Sequence, residues 1–282
     1  MRLEEVACPY CQGENSEFWA EENGFTAVRC TSCRFVYVNP RPPLDAITEA
    51  SRIGFHEAPT GKLHLVGPLG FRRAKARMFK QRLPELFPGS SLIGRKVSWL
   101  DVGCGFGELL AAVEELAAPE STIEGIEPSQ PKVHIARGRG LHVSSARLDE
   151  IDRVYSFVSL INVLSHLPHP AQFLSDLPRL LEPGGRLLLV TGNGADMTRQ
   201  EYPDPLFLPD HLVFAGEEHI RGLLEDAGFD IVLVNGYRYA LPESPVLILA
   251  KNVVRTLLGR PRMALRNKGP YRSLFVHARL RR

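Results

Sequence analysis

The pattern of apolar and polar positions changes twice along the chain. Residues 1–43 hold few apolar side chains, too few for a segment of that size to fold on its own core. Residues 44–90 read as mainly helical. Phe71, Met78, Phe79, Leu83 and Leu86 fall near one face there, with Arg72, Arg73, Lys75, Arg77, Lys80 and Arg82 around it. From Lys96 onward, short apolar runs alternate with stretches of helical period. Val97–Val102 predicts a strand, Glu108–Ala117 a helix, Thr122–Ile126 a strand and Pro131–Arg137 a short helix. Val154–Val163 is apolar enough for a strand buried on both faces. Ala171–Leu181 predicts a helix stopped by Glu182-Pro-Gly-Gly185, then a strand over Arg186–Val190. Gly216–Ala227 predicts a helix ending at Gly228, followed by a strand over Phe229–Val234. This alternation implies an α/β fold, a parallel sheet with helices on both faces.

Composition changes this picture little. The chain has 282 residues, 44% hydrophobic and 23% charged, as expected of a globular protein with one large or two modest domains. No run reaches the ~20 apolar residues of a membrane span. Met1–Ala7 carries Arg2, Glu4 and Glu5 and no apolar signal core, so a reducing cytoplasm is the expected compartment. Net charge is +2, unevenly spread: Lys251–Arg282 holds ten Lys/Arg and no acid, leaving −8 for residues 1–250. That tail is a solvated basic end or a contact for an anionic surface.

Two motifs carry chemistry. Cys8-Pro-Tyr-Cys11 and Cys30-Thr-Ser-Cys33 are CxxC pairs at the spacing of a four-cysteine zinc site, each able to offer two thiolates from one turn. A disulfide pairing is disfavoured by a reducing compartment, and a lone redox pair by the duplication. With all four positions filled by protein, such a metal is structural. Gly13 stands where a positive φ is expected. Residues 1–43 carry four Arg and six Glu, no footprint for nucleic-acid phosphate. The second motif is Asp101-x-Gly103-x-Gly105-x-Gly107 between a strand and a helix, where a backbone bends sharply and a ligand can approach it. A second strand ends in Glu127, twenty-two residues after Gly105, placed to accept hydrogen bonds from both ribose hydroxyls of an adenosine.

Leu100-Asp-Val-Gly-Cys-Gly-Phe-Gly107 resembles motif I of class I S-adenosylmethionine-dependent methyltransferases. Pro178–Val190 is similar to that family's helix–turn–strand, and together the matches span about residues 95–235. The resemblance implies a Rossmann-like, doubly wound, mostly parallel seven-stranded sheet, closed by an antiparallel strand over Ser273–Arg279. It implies that Asp101 and Gly103, Gly105 and Gly107 hold the methionine part of the cofactor and Glu127 the ribose; where the family often contacts the adenine amino group through Asp the chain has Arg147, so backbone groups near Ala146–Leu148 are the candidates for the adenine. Asn162 would line the pocket. The cysteine pairs running into Phe35-Val-Tyr-Val-Asn-Pro-Arg41, with Asn162-Val-Leu-Ser-His-Leu-Pro-His-Pro170 and Leu208-Pro-Asp-His-Leu-Val-Phe214, resemble a narrower subgroup with an N-terminal zinc domain. That subgroup includes deoxysugar C-methyltransferases, and in it the histidine matching His211 helps deprotonate the substrate. His166 is a second candidate. The chain departs from the subgroup at Arg147, Ser156 and Ser165.

The organisation expected is a zinc ribbon over 1–43, a helical linker or lid over 44–94, and a methyltransferase domain over 95–282. Residues 236–269 read as an insertion, with an amphipathic helix over Pro245–Leu258. The expected activity is S-adenosylmethionine-dependent methyl transfer to a small molecule: a sugar, a nucleotide sugar or another secondary metabolite. An RNA-modifying methyltransferase using the basic tail and the 72–82 helix is one alternative, and a non-catalytic methyltransferase-like binding protein another. The oligomeric state is open.

Overall fold

A computed structural model describes residues 2–58, 61–64, 70–87, 92–202, 204–237, 253, 256 and 273–281. Seven strands form the main sheet: β6 (Ser98–Val102), β7 (Thr122–Ile126), β8 (Val143–Ser144), β9 (Tyr155–Ile161), β10 (Leu181–Gly192), β12 (Phe229–Tyr237) and β13 (Ser273–Leu280). Their order is β12-β13-β10-β9-β6-β7-β8. All pairs are parallel except those of β13, which runs antiparallel to β10 and β12. This is a doubly wound, Rossmann-like sheet closed by one antiparallel strand, the order that the resemblance implies.

Strand alternation sends neighbouring side chains to opposite faces. Along β10, Leu187 and Leu189 join one core while Leu188 and Val190 join the other. The first core is covered by α5 (Pro170–Ser175) and α6 (Glu217–Asp226). The second is covered by α2 (Arg73–Leu86), α3 (Glu108–Leu116) and α4 (Gln130–Arg137). Trp99 of β6 stacks on Phe157 of β9 at 4.8 Å, and Phe87 meets both rings edge-on.

Three expectations are corrected. The 44–90 zone is not mainly helical: between α1 (Leu44–Ile53) and α2, β4 (Phe55–Ala58) pairs with β5 (Gly61–His64). Gly54 ends α1 in the left-handed conformation that only glycine adopts cheaply, and turns the chain into the hairpin. The helix expected over Ala171–Leu181 stops at Ser175, because Pro178 cannot donate to a continuing helix, and a single 3-10 turn, Pro178–Leu180, leads into β10. The 236–269 insertion begins no earlier than Tyr237, the end of β12; apart from Val253 and Thr256, the rest of it and the Pro245–Leu258 helix lie outside the described residues. No helix among the described residues is long and apolar enough to cross a membrane.

The N-terminal zone does not fold apart from the rest. β1 (Ser16–Glu22), β2 (Phe25–Cys30) and β3 (Val36–Val38) form an antiparallel sheet whose fourth strand is β11 (Val213–Phe214). Cys8, Cys30, Phe35 and Tyr37 enter the same core as Leu212, Ile220 and Leu223. Tyr10 lies across α6, and a Cβ at Gly222 would come within 2.4 Å of its hydroxyl. Glycine inside that helix is thus set by close packing.

His277 of β13 is buried in the second core, with the Phe87 ring 4.5 Å away. Burial first, and Arg186 second, push its imidazole down to about 4 against the opposing Leu86 carbonyl. The unfolded chain therefore binds a proton near pH 6.5 that the folded chain refuses until about pH 4. Stability contributed by this site is complete above about pH 6.5 and is lost as pH falls toward 4. His277→Gln is expected to flatten the fall of the urea midpoint between pH 7 and pH 5; parallel curves for variant and parent would refute the assignment.

Candidate functional site

The chain leaves β6 toward β7 and β8 on one side and returns to β9 and β10 on the other. In an open parallel sheet this reversal leaves a crevice at the carboxyl ends of the two central strands. A cavity of about 540 Å³ lies there. Asp101, Gly103, Gly105, Glu127, Leu148, Asn162 and His166 line it, so seven of the residues singled out by sequence come together.

The glycine loop follows β6. Gly103, Gly105 and Gly107 all have positive φ. A Cβ at Gly103 would come within 2.5 Å of Val163, and one at Gly107 within 2.2 Å of Leu141. Above Gly105 nothing lies within 4 Å, leaving the backbone open to the cavity. Gly107 is not in the lining; it lets the loop pack on the 141 segment and caps the start of α3. The second strand supports the loop in a way the sequence reading did not reach: a Cβ at Gly125 would meet Cys104 Sγ at 2.7 Å.

Glu127 is buried and faces the loop. Its Oε2 accepts from the Gly105 N–H at 2.9 Å, its Oε1 accepts from the Ser129 N–H at 3.0 Å, and Lys132 Nζ stands 3.6 Å away. Asp101 forms the floor. The Ser159 hydroxyl donates to its Oδ1 at 2.6 Å, and Trp99 Nε1–H donates to that hydroxyl at 2.8 Å. Burial pushes the Asp101 carboxyl up to about 7, opposed by Ser159 and Lys75. Ser159, a fully buried serine between apolar neighbours in β9, was the signal available for this relay. Glu108, given no role by sequence, is also buried in the wall. It accepts from the Arg72 N–H at 3.1 Å and from Lys75 Nζ at 3.4 Å, tying the start of α2 over the cavity.

The three departures separate by place. Ser156 lies at the opposite end of the sheet, locked to Ser98 by a donated bond to its carbonyl (2.9 Å) and one accepted from its N–H (3.0 Å). Arg147 is exposed and turned to Asp149, while backbone from Ser145 to Leu148 borders the cavity. Ser165 lines a second cavity of about 260 Å³, together with His211 and Asn162. His211 is absent from the lining of the larger cavity; Asp210 takes part there instead.

His166 and His211 face each other with ring centroids 4.9 Å apart. His166 Nδ1 lies 3.0 Å from Asp210 Oδ1 and 2.9 Å from the Asp210 carbonyl. Burial alone would lower the imidazole and raise the carboxyl. Their mutual attraction wins on both, so His166 is held above its ordinary value and Asp210 below. His211 goes the other way: burial, then His166, push it down to about 4, against Asp210 and the Leu206 carbonyl.

Both histidine loops are held from the N-terminal sheet. The Glu22 carboxylate accepts from Leu206 N–H (2.8 Å) and Leu208 N–H (2.9 Å), and Asn23 Nδ2 donates to the Leu208 carbonyl at 2.8 Å. Val38 N–H donates to the Leu212 carbonyl at 2.8 Å, and Leu212 N–H donates to the Ser165 carbonyl at 2.7 Å. Arg41 donates to the Pro168 carbonyl at 2.8 Å.

The four cysteines gather behind this contact. Cys8 Sγ lies 3.6 Å from Cys33 Sγ, Cys11 Sγ lies 3.6 Å from Cys30 Sγ, and all four sulfurs fall within 4.8 Å of one another. Sulfurs bonded to one zinc at ~2.3 Å sit ~3.8 Å apart, so the cage fits a tetrahedral four-thiolate ion and is far too open for disulfides. Each pair turns alike: Gln12 (φ 62°) and Arg34 (φ 69°) follow the second cysteine in the left-handed region. The positive φ expected at Gly13 therefore falls one residue earlier. Gly13 is needed for closeness instead, since its Cβ would stand 3.3 and 3.4 Å from the sulfurs of Cys11 and Cys30.

A methyltransferase-domain family matches residues 69–234, more than half of the chain. Among similar proteins are methyltransferase GfsG of Streptomyces halstedii and a ubiquinone biosynthesis O-methyltransferase of Aeromonas salmonicida. The first is 26% identical over 62% of this chain and 67% of its own length; the second is 27% identical over 57% and 74%. An uncharacterized 37.1 kDa protein of a Streptomyces fradiae transposon is 30% identical, but the chain spans only about half of its length (52%). Two solved structures share the fold. The magnesium protoporphyrin IX methyltransferase of Synechocystis PCC 6803 with bound SAH has a TM-score of 0.50 at 18% identity, covering 76% of this chain and 89% of its own. The [4+2]-cyclase SpnF has a TM-score of 0.51 at 20% identity, covering 84% and 91%. A cyclase on this fold means that the fold alone does not fix the reaction. On the matched domain, the order of the sheet and the glycine loop at its switch point, the chain belongs to the class I S-adenosylmethionine-dependent methyltransferase family.

Proposed function

We propose that this chain transfers a methyl group from S-adenosylmethionine to a small-molecule acceptor. The observation that carries this reading is the carboxylate-walled cavity at the switch point. Asp101, Glu108 and Glu127 suit a ligand bearing a sulfonium and an ammonium, while Gly105 presents open backbone beside them. When bound, the cofactor supplies an electrophilic methyl group for in-line displacement. In this reading Glu127 binds the ribose, Asp101 and the loop from Gly103 to Gly107 hold the methionine part, and backbone at Leu148 borders the adenine. Asn162 lines the passage toward the acceptor.

The protein's part is orientation, exclusion of water and removal of a proton. His166 is the proton acceptor in this proposal. Asp210 anchors its Nδ1 and raises its basicity, the role a carboxylate plays beside a catalytic imidazole. His211, held neutral, contacts the acceptor. The N-terminal sheet fixes both loops, with zinc held by Cys8, Cys11, Cys30 and Cys33 as its structural anchor. Residues 1–43 then act as a zinc module, 44–94 as linker and lid, and 95–282 as the catalytic domain, an organisation like that of the subgroup with deoxysugar C-methyltransferases. An RNA acceptor is the poorer reading, because Lys75, Lys80 and Arg82 of the basic helix are already paired to Glu108, Glu115 and Glu85.

Calorimetric titration with S-adenosylhomocysteine is expected to give micromolar binding, weakened by about 1–3 kcal/mol in Glu127→Ala through lost hydrogen bonds; unchanged affinity would sink the ribose assignment. Proton acceptance requires neutral His166, so kcat/KM should rise with pH through its pKa. Asp210→Asn removes the charge that raises that pKa, and so is expected to move the acid limb to lower pH and reduce the plateau. An unmoved limb would exclude His166 as the base. Cys30→Ser should release zinc and lower Tm; one full zinc per chain by elemental analysis of the variant would reject the four-cysteine site.

A further inference from the structure

The smaller cavity is assigned no occupant by the family match or the relatives. It shares the lining residue Asn162 with the larger one. We propose that it is the acceptor subsite and takes one uncharged, hydroxylated six-membered ring, an inference that rests on the methyl-transfer reading.

Three observations carry it. The first is size. At about 260 Å³ the cavity falls below the ~300–1,000 Å³ of sites that enclose a drug-sized ligand, so it holds a single ring and leaves the rest of a larger acceptor outside. The second is the wall. Tyr202 and Phe214 meet at 5.4 Å with their planes 87° apart, a corner whose apolar faces suit the face of a ring. Ser165, Thr191, Asn162 and His211 of the same lining bring polar groups able to pair with hydroxyls. The third is charge. No Lys, Arg, Asp or Glu lines the cavity among the described residues. Burial keeps the two titratable members neutral at pH 7, with His211 pushed down to about 4 and Tyr202 up to about 12. Among the described residues a phosphate or carboxylate seated there meets no charged partner, and its desolvation is costly. The diphosphate of a nucleotide sugar therefore stays outside, and only its glycosyl ring can enter.

A phenolic ring and a pyranose share this chemistry, and the experiment separates them. Ligand-detected NMR on the full, zinc-loaded chain, with and without S-adenosylhomocysteine, would compare catechol and methyl β-glucopyranoside with benzoate and glucose 6-phosphate. At least one neutral ring is expected to bind, tenfold or more tightly than its anionic counterpart, and which one binds names the source. Ser165→Phe fills the cavity without touching the larger one and is expected to abolish that binding while S-adenosylhomocysteine affinity is kept. Thr191→Val removes one hydroxyl at nearly unchanged volume and is expected to weaken the ring about fivefold. Anionic rings binding as well as neutral ones, no binding by either neutral ring at millimolar concentration, or a bound ring indifferent to both substitutions would overturn the assignment. Absence of S-adenosylhomocysteine binding by folded protein would fell the methyl-transfer reading instead, and the cofactor-free NMR arm still decides whether the cavity takes a neutral ring.

Discussion

The peptide groups of Leu212 hold the site together. Its carbonyl accepts from Val38 of the N-terminal sheet, and its N–H donates to the Ser165 carbonyl. The residue before it is His211 and the residue after Ser165 is His166, so one residue, through the two peptide groups that flank it, couples the N-terminal sheet to both histidine segments. Buried backbone groups must be paired, and an unpaired one costs about 1–3 kcal/mol. The N-terminal sheet therefore cannot lift from β11 without freeing the loops that line the cavities. Glu22 adds a second hold from the other side by accepting two N–H groups of the same loop. Residues 1–43 have too little apolar surface to be an independent domain, and the structure gives them no such independence: their core is continuous with that of α6. A thiolate-bound zinc suits this arrangement, because it stiffens turns that the small sheet cannot stiffen by burial alone.

At the other end of the cleft the constraint is charge. Three carboxyl groups, Asp101, Glu108 and Glu127, are buried around one cavity, and buried carboxyls are costly unless paired. Each is handled differently. Glu127 spends both oxygens on backbone N–H groups, Glu108 takes a lysine and an N–H from α2, and Asp101 leans on a serine that leans on a tryptophan. Burial raises the proton affinity of Asp101. A bound cation beside it would reverse that rise, so the cost of burying Asp101 in the free protein becomes affinity for a positively charged ligand.

Much of this was legible in the sequence, for identifiable reasons. The main sheet follows from apolar runs bounded by Gly and Pro, and a strand buried on both faces, as in β9, leaves a strong signal. The glycine loop was legible because left-handed φ leaves a glycine mark, and Glu127 because the pattern of a strand ending in an acid is local. What escaped was long-range. The β4–β5 hairpin carries no apolar alternation strong enough to displace a helical reading. The pairing of β3 with β11 joins Val36 and Tyr37 to Phe214 and Val213, far apart in the chain, and shows as two short apolar stretches only. At the cysteine turns, left-handed φ went to Gln12 and Arg34, side chains that do not advertise it, and Gly13 was needed for space.

The two histidines show why sequence position could not rank them. His211 sits in the segment resembling the subgroup's catalytic histidine, while His166 sits in the other segment of that resemblance, after a strand end. Three-dimensional placement gives them opposite characters at 4.9 Å. Asp210 engages His166 through Nδ1 and raises its proton affinity, while burial first and His166 second lower that of His211. One carboxylate thus polarises a pair: the imidazole it touches becomes the stronger base at the larger cavity, and the other becomes an uncharged wall of the smaller one. A neutral His211 is a better neighbour for an uncharged acceptor hydroxyl than a cation would be, and a basic His166 is a better receiver for its proton. In the proposed reading the division of labour between the histidines is set by which of them Asp210 faces, a fact of loop geometry that the N-terminal sheet enforces through Leu212.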